Sequence, residues 1–309
     1  MLDRLKSFFK INKKTKISFN NQDNNFNLNS EEGKIFVSIV QEFIWSNIFL
    51  QKFKHIEIRI EPTEDKSKST LMSVDLGKVS IEFVSISIFL DKFLKSIENT
   101  NKPTKFKKLE ILIFEYLNHE LIHIIHVIFS NKHINQTYVR RLINTGRIEE
   151  YEHPSTNYYR NYLEDLYHLV LIEGVATFFQ KERDFSIEEF EKEYNKNIYL
   201  LLFIFDSFHK LREPLETDEI EKRKPWYKIG FMMTYSIMIG IENLKFEEIF
   251  KISNKEFLEL HELAIENINA KYNKDFKIFF SFNSKKGILD YSEIVNFLKR
   301  TERKLRDDN

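Results

Sequence analysis

The spacing of apolar positions changes character along the chain. Ser30-Glu31-Glu32-Gly33 reads as a helix start, with Ser30 as N-cap and two acids in the first turn. Apolar residues then recur at helical intervals from Ile35 to Phe53. Before that helix, Lys16–Asn20 is a short strand-like run. After it, Lys54–Glu61 (KHIEIRIE) alternates apolar and polar, the signature of a half-buried strand. Leu71–Asp75 and Lys78–Phe83 read as two further strands joined near Gly77. Ser85–Ile97 turns helical, and Glu98–Pro103 reads as a linker. Beyond it the pattern predicts helices over about 105–131, 155–183, 187–211, 223–243, 255–271 and 289–305. An early helix, a small sheet and then a helical body predict an α+β protein, mainly helical, with a small N-terminal β-sheet. We divide it into an N-terminal α/β part (1–104), a central helical part (105–250) and a C-terminal helical extension (251–309).

Composition narrows the chemistry. The 309 residues hold no cysteine, which excludes disulfides, thiolate zinc sites, iron–sulfur clusters and cysteine nucleophiles. The seven glycines are too dispersed for G-x-G or a P-loop, so phosphate-cradling loops are excluded too. Forty-seven basic and 47 acidic side chains balance, which argues against a nucleic-acid partner despite six Lys/Arg against one Asp in residues 1–16. The N-terminus has no signal-type apolar core, and Ile198–Phe205 is far short of the roughly 20 residues that span a bilayer. The expectation is a soluble, cytoplasmic protein without a membrane partner.

One stretch carries chemistry. Residues 108–129 (KLEILIFEYLNHELIHIIHVIF) hold neither Gly nor Pro and contain His119-Glu120-Leu121-Ile122-His123, an H-E-x-x-H pattern. At about 100° per residue the two histidines lie about 40° apart and one turn along the helix, so both can reach one tetrahedral zinc. Glu120 is about 100° round from His119, beside such an ion rather than on it, where a general base belongs. The competing reading is a core helix whose histidines are held by ordinary hydrogen bonds. His126 shares the stripe but lies about 10 Å along the axis from His119, too far to join the same ion.

A catalytic zinc needs a third protein ligand. The metzincin pattern fails, because His126 and Phe129 stand where Gly and His would be required. Glu173, in the apolar run Leu169–Ala176, is the leading carboxylate: unpaired it would be costly there, and an ion would satisfy it. Its alternative is a buried Glu paired with a base. Gly174 and Ala176 would let two helices approach closely. Glu149, Glu150 and Glu152 lie in a polar loop and read as solvated.

HELIH at 119–123 followed by IEGVA at 172–176 resembles the gluzincin class of zinc metallopeptidases. The resemblance covers about 75 residues. It implies a zincin-like domain, His119, His123 and Glu173 as zinc ligands, Glu120 as general base, and a peptide or protein substrate. One departure is Thr177, where the best-known gluzincins carry an acid that holds a ligand histidine. Cytosolic repressor-cleaving peptidases share H-E-x-x-H and E-x-x-A but use a shorter spacing. Tyr227, in Tyr227-Lys228-Ile229-Gly230, and His209 are candidate oxyanion donors, with aromatic packing as the alternative. Val79–Phe83 is a candidate edge strand for pairing with an extended peptide. His55, His133, His153 and His261 read as surface or capping residues. Two other function classes compete: a ferritin-like di-iron protein using Glu120-x-x-His123, Asp165-x-x-His168 and Glu173, and an inactive metallopeptidase-like binding scaffold.

Overall fold

A computed structural model describes residues 15–47, 49–62, 71–75, 79–97, 102–129, 167, 170–180, 184–197, 225–281 and 287–290. Its contacts divide the chain into two compact units, Met1–Ile128 and Phe129–Asn309. The architecture is mixed α+β, with a four-stranded sheet in the first unit.

The first unit opens with β1 (Lys16–Asn21) and α1 (Glu31–Ser46). Ser30 caps α1 by accepting the Gly33 amide at 3.0 Å. Phe36, Ile39, Val40, Phe43 and Ile44 form its buried stripe. The helix stops seven residues short of the predicted end. Asn47 Oδ1 accepts the amides of Phe49 and Leu50, at 3.0 and 3.3 Å, diverting the backbone into a short 3-10 turn.

β2 (His55–Ile60) buries Ile56, Ile58 and Ile60 on one face and alternates as expected. β3 (Met72–Val74) also falls where predicted. The next strand does not. β4 is Phe83–Ile88, and residues 79–82 precede it without strand structure. The segment expected to turn helical at Ser85 instead alternates Val84, Ile86 and Ile88 with Ser85 and Ser87. The apolar set is buried, while the Ser85 hydroxyl donates to Glu57 (3.0 Å) and Ser87 to Glu61 (3.2 Å). A two-residue period on a half-polar sheet face accounts for the shift. Strand order is β1-β2-β4-β3, with β1, β2 and β4 parallel and β3 antiparallel to β4. β4 is therefore interior, and the proposed peptide-pairing edge at Val79–Phe83 is withdrawn.

After α2 (Leu90–Ser96) comes α3 (Lys102–Phe129), which starts inside the predicted linker. Pro103 lies in its first turn, where a missing amide hydrogen removes no intrahelical bond. Leu109, Ile113, Leu117, Leu121 and Ile125 form one buried stripe, and from His119 to His126 every side chain is buried. Phe106–Phe129 is long and apolar enough to cross a membrane, a stretch that inspection of Ile198–Phe205 alone overlooks. Its most apolar stretch is 56% buried within the fold.

In the second unit, α4 (Val170–Gln180), α5 (187–197), α6 (Pro225–Gly240) and α7 (Asn254–Tyr272) occupy predicted helical segments. Capping boxes start α5, at Ser186 and Glu189, and α7, at Ser253 and Glu256. An aromatic cluster including Phe185, Phe190, Tyr194, Phe231 and Tyr235 joins α5 and α6. Phe279 stacks on Tyr194 at 4.2 Å. β5 (Ile278–Ser281) pairs in parallel with β6 (Gly287–Asp290). The last predicted helix therefore cannot begin at 289, since 287–290 is strand; its remainder lies outside the described residues.

Candidate metal centre

His119 and His123 project from successive turns of α3, and both are no more than 7% exposed. Their Nε2 atoms approach to 3.0 Å, with rings 85° apart in plane. Two neutral imidazoles can share at most one N–H across that gap. Glu173, on α4 and half-buried, completes a group of three: one ligand atom from each residue, all within 4.8 Å of one another. A tetrahedral ion with 2.0–2.1 Å bonds to nitrogen spaces its donors roughly 3.3 Å apart. The histidine pair is near that spacing. Two imidazoles and a carboxylate also form a chemically suitable donor set for zinc with one position left open.

The local sequence explains each placement. The i, i+4 spacing puts both histidines on one face of an uninterrupted helix. Val170, Leu171, Ile172, Val175 and Ala176 bury α4, so its carboxylate stands in an apolar helix and needs a charged or hydrogen-bonding counterpart. Glu120 is 5% exposed, adjacent to His119 and outside the converging trio.

No known protein family matches the chain, and neither a curated protein nor a solved structure is significantly similar to it. Function must be argued from the site.

Tyr227 is half-buried on the first turn of α6, one turn before Gly230, and is not among the three clustered residues. His209 lies outside the described residues, as do His133, His153, Asp165, His168, Glu149, Glu150 and Glu152. Thr177 is buried one turn beyond Glu173, and its hydroxyl has no hydrogen-bond partner among the described residues. His126 is buried on the α3 stripe and stands outside the cluster.

Two histidines differ from expectation. His55 is not a bare surface residue: its Nε2 lies 2.7 Å from Ser18 Oγ, and its ring meets Phe83 edge-on. His261 is fully buried. Its Nδ1 lies 2.8 Å from Ser236 Oγ, which donates its own hydrogen to Met233 O at 2.7 Å, so the neutral ring carries its proton on Nδ1. Nε2 then faces the Tyr194 hydroxyl (3.3 Å) and the Phe279 amide (3.5 Å). Burial pushes His261 down to about 3 and the Tyr194 phenol up. A sequence signal existed: Phe257, Leu258, Ala264, Ile265 and Ile268 place His261 in the middle of an apolar helical stripe.

Proposed function

We propose that this protein is a zinc-dependent peptidase of gluzincin type. The observation that carries the reading is the convergence of His119, His123 and Glu173, with Glu120 buried next to the ligand pair. His119 and His123 would hold the ion through Nε2, and Glu173 would add its carboxylate. When bound, zinc supplies Lewis acidity, polarising a scissile carbonyl and acidifying water.

The chain's own residues supply the rest. Glu120, as a carboxylate, accepts the proton of the attacking water and returns it to the departing amine. Buried next to His119 and outside the three clustered residues, it would serve as base rather than as ligand. Burial of the histidines excludes bulk water and strengthens every charge interaction at the site. The substrate is a peptide or protein. The cytoplasm remains our proposed location.

The test is Glu120→Gln, which keeps shape and removes the base. Zinc binding and melting temperature should stay at wild-type values while hydrolysis of a quenched peptide library falls at least about 100-fold. Wild-type turnover in that variant would remove the peptidase mechanism. Loss of zinc would make Glu120 a ligand instead and revive the di-iron alternative.

A further inference from the structure

Glu173 precedes Gly174, and Gly174 is where α4 meets α6. A β-carbon on Gly174 would lie 2.6 Å from Gly230 O and closer still to the Gly230 Cα and carbonyl carbon. A β-carbon on Gly230 would lie 2.6 Å from Gly174 Cα and would clash with the Val170 carbonyl. Ordinary contacts for a β-carbon begin near 3.4 Å, so neither helix has room for a single methyl. The obstacle on each side is backbone, which cannot rotate away as a side chain can.

The contact has a direction. Phe178, one turn beyond Gly174, meets Phe231 and Tyr235 at ring distances of 6.1 and 6.0 Å. Moving forward along α4 thus moves forward along α6, and two successive turns of α4 are registered on one helix. The glycine contact fixes how closely the helices approach, and the aromatic contact fixes rotation and slide. Glu173 hangs on the first of these turns.

We infer that Gly174 and Gly230 are positioning residues for the metal centre, setting the place of the Glu173 carboxylate through the backbone contact between α4 and α6. This rests on the metal-binding reading above. A donor displaced by about 1 Å leaves the bonding range of a 2.0–2.2 Å metal–oxygen contact. A methyl at either glycine would force a displacement of about that size.

The test compares Gly174→Ala and Gly230→Ala with Gly240→Ala in the full chain. Gly240 lies on the same α6, ten residues from Gly230, and a β-carbon there would sit 2.5 Å from Ala264 O on α7. It is a matched packing clash away from Glu173. Zinc affinity is read by competition with a chromophoric chelator, alongside thermal melts. Gly174→Ala and Gly230→Ala should weaken zinc binding about 10- to 100-fold, the scale found when the groups supporting a ligand are disturbed. Gly240→Ala should lower the melting temperature while leaving affinity within about twofold. In a Glu173→Ala background, Gly230→Ala should weaken zinc binding no further.

Equal loss of affinity in all three glycine variants, or unchanged affinity in Gly230→Ala, overturns the inference. Should the two alanine variants fail to fold, Phe178→Leu loosens the same crossing without a clash and should still weaken zinc binding severalfold; unchanged affinity there overturns it equally. Wild-type protein that binds no zinc removes the metal reading itself and this inference with it. Zinc binding that is normal in the wild type yet insensitive to the crossing removes the inference alone.

Discussion

The buried His261 makes acid lability calculable. In the folded protein its imidazole is pushed from an ordinary 6.5 down to about 3, because burial penalises the cation. Among the described residues, its ring nitrogens face the Ser236 and Tyr194 hydroxyls and the Phe279 amide, none of them a carboxylate that could neutralise a charged ring. Below pH 6.5 the unfolded chain therefore takes up a proton that the folded chain refuses. Stability from this residue is complete above pH 6.5 and is lost as pH falls towards 3. The slope is about 1.4 kcal/mol per pH unit, so roughly 2 kcal/mol has gone by pH 5 and about 4 kcal/mol by pH 3. A domain stable by 5–15 kcal/mol would feel this plainly.

The assay is urea unfolding at pH 7.5, 6.0, 5.0 and 4.5 with chelator present. It follows Trp226 on α6 in a Trp45→Phe background, since the chain has two tryptophans. His261→Leu is the comparison. It loses hydrogen bonds and should be less stable at neutral pH by about 1–3 kcal/mol, but it cannot titrate. The gap between the two proteins should close by about 1.4 kcal/mol per unit below pH 6.5 and then reverse. Other titrating groups act in both proteins and cancel in the difference. Parallel pH slopes would refute the reasoning, because they would mean that the folded state protonates His261 as readily as the unfolded chain does.

Elemental analysis of zinc-soaked wild type should give near-unit zinc stoichiometry, and removing both imidazoles, as His119→Ala plus His123→Ala, should abolish it; tight binding that survives would place the ion elsewhere. Zinc at 100 times its dissociation constant should stabilise the wild type by about 2.7 kcal/mol, an increment that chelator removes and that Glu173→Ala greatly reduces in thermal melts. Ser253→Ala removes the α7 capping box and should cost about 1 kcal/mol in chemical denaturation, with zinc affinity unchanged. Gly33→Ala would put a β-carbon 2.6 Å from the Leu28 carbonyl oxygen at the start of α1; it should lower the melting temperature by several degrees, and an unchanged melt would contradict that packing.

Local rules were enough for much of this protein. A side-chain period of two marked β2, a period of 3.6 marked α1 and α3, and Ser30 marked a helix start by its hydroxyl. The spacing of His119 and His123 also depends only on the turn of one helix. These features are set by residues a few positions apart, so they can be read from the chain. Three others were decided by partners distant in sequence. Phe83–Ile88 became an interior strand because β2 and β3 pair with both its sides and Glu57 and Glu61 accept its serine hydroxyls. Gly287–Asp290 became a strand because β5 lies beside it. His261 became a neutral core group because Tyr194, Ser236 and Phe279 close round it from other elements. Glu173 belongs to both lists. Its apolar surroundings announced that it needs a partner, but which partner depended on bringing together residues 50 positions apart. Periodicity carries information over one or two turns only; beyond that range, burial and charge are decided by whichever surfaces the fold presses together.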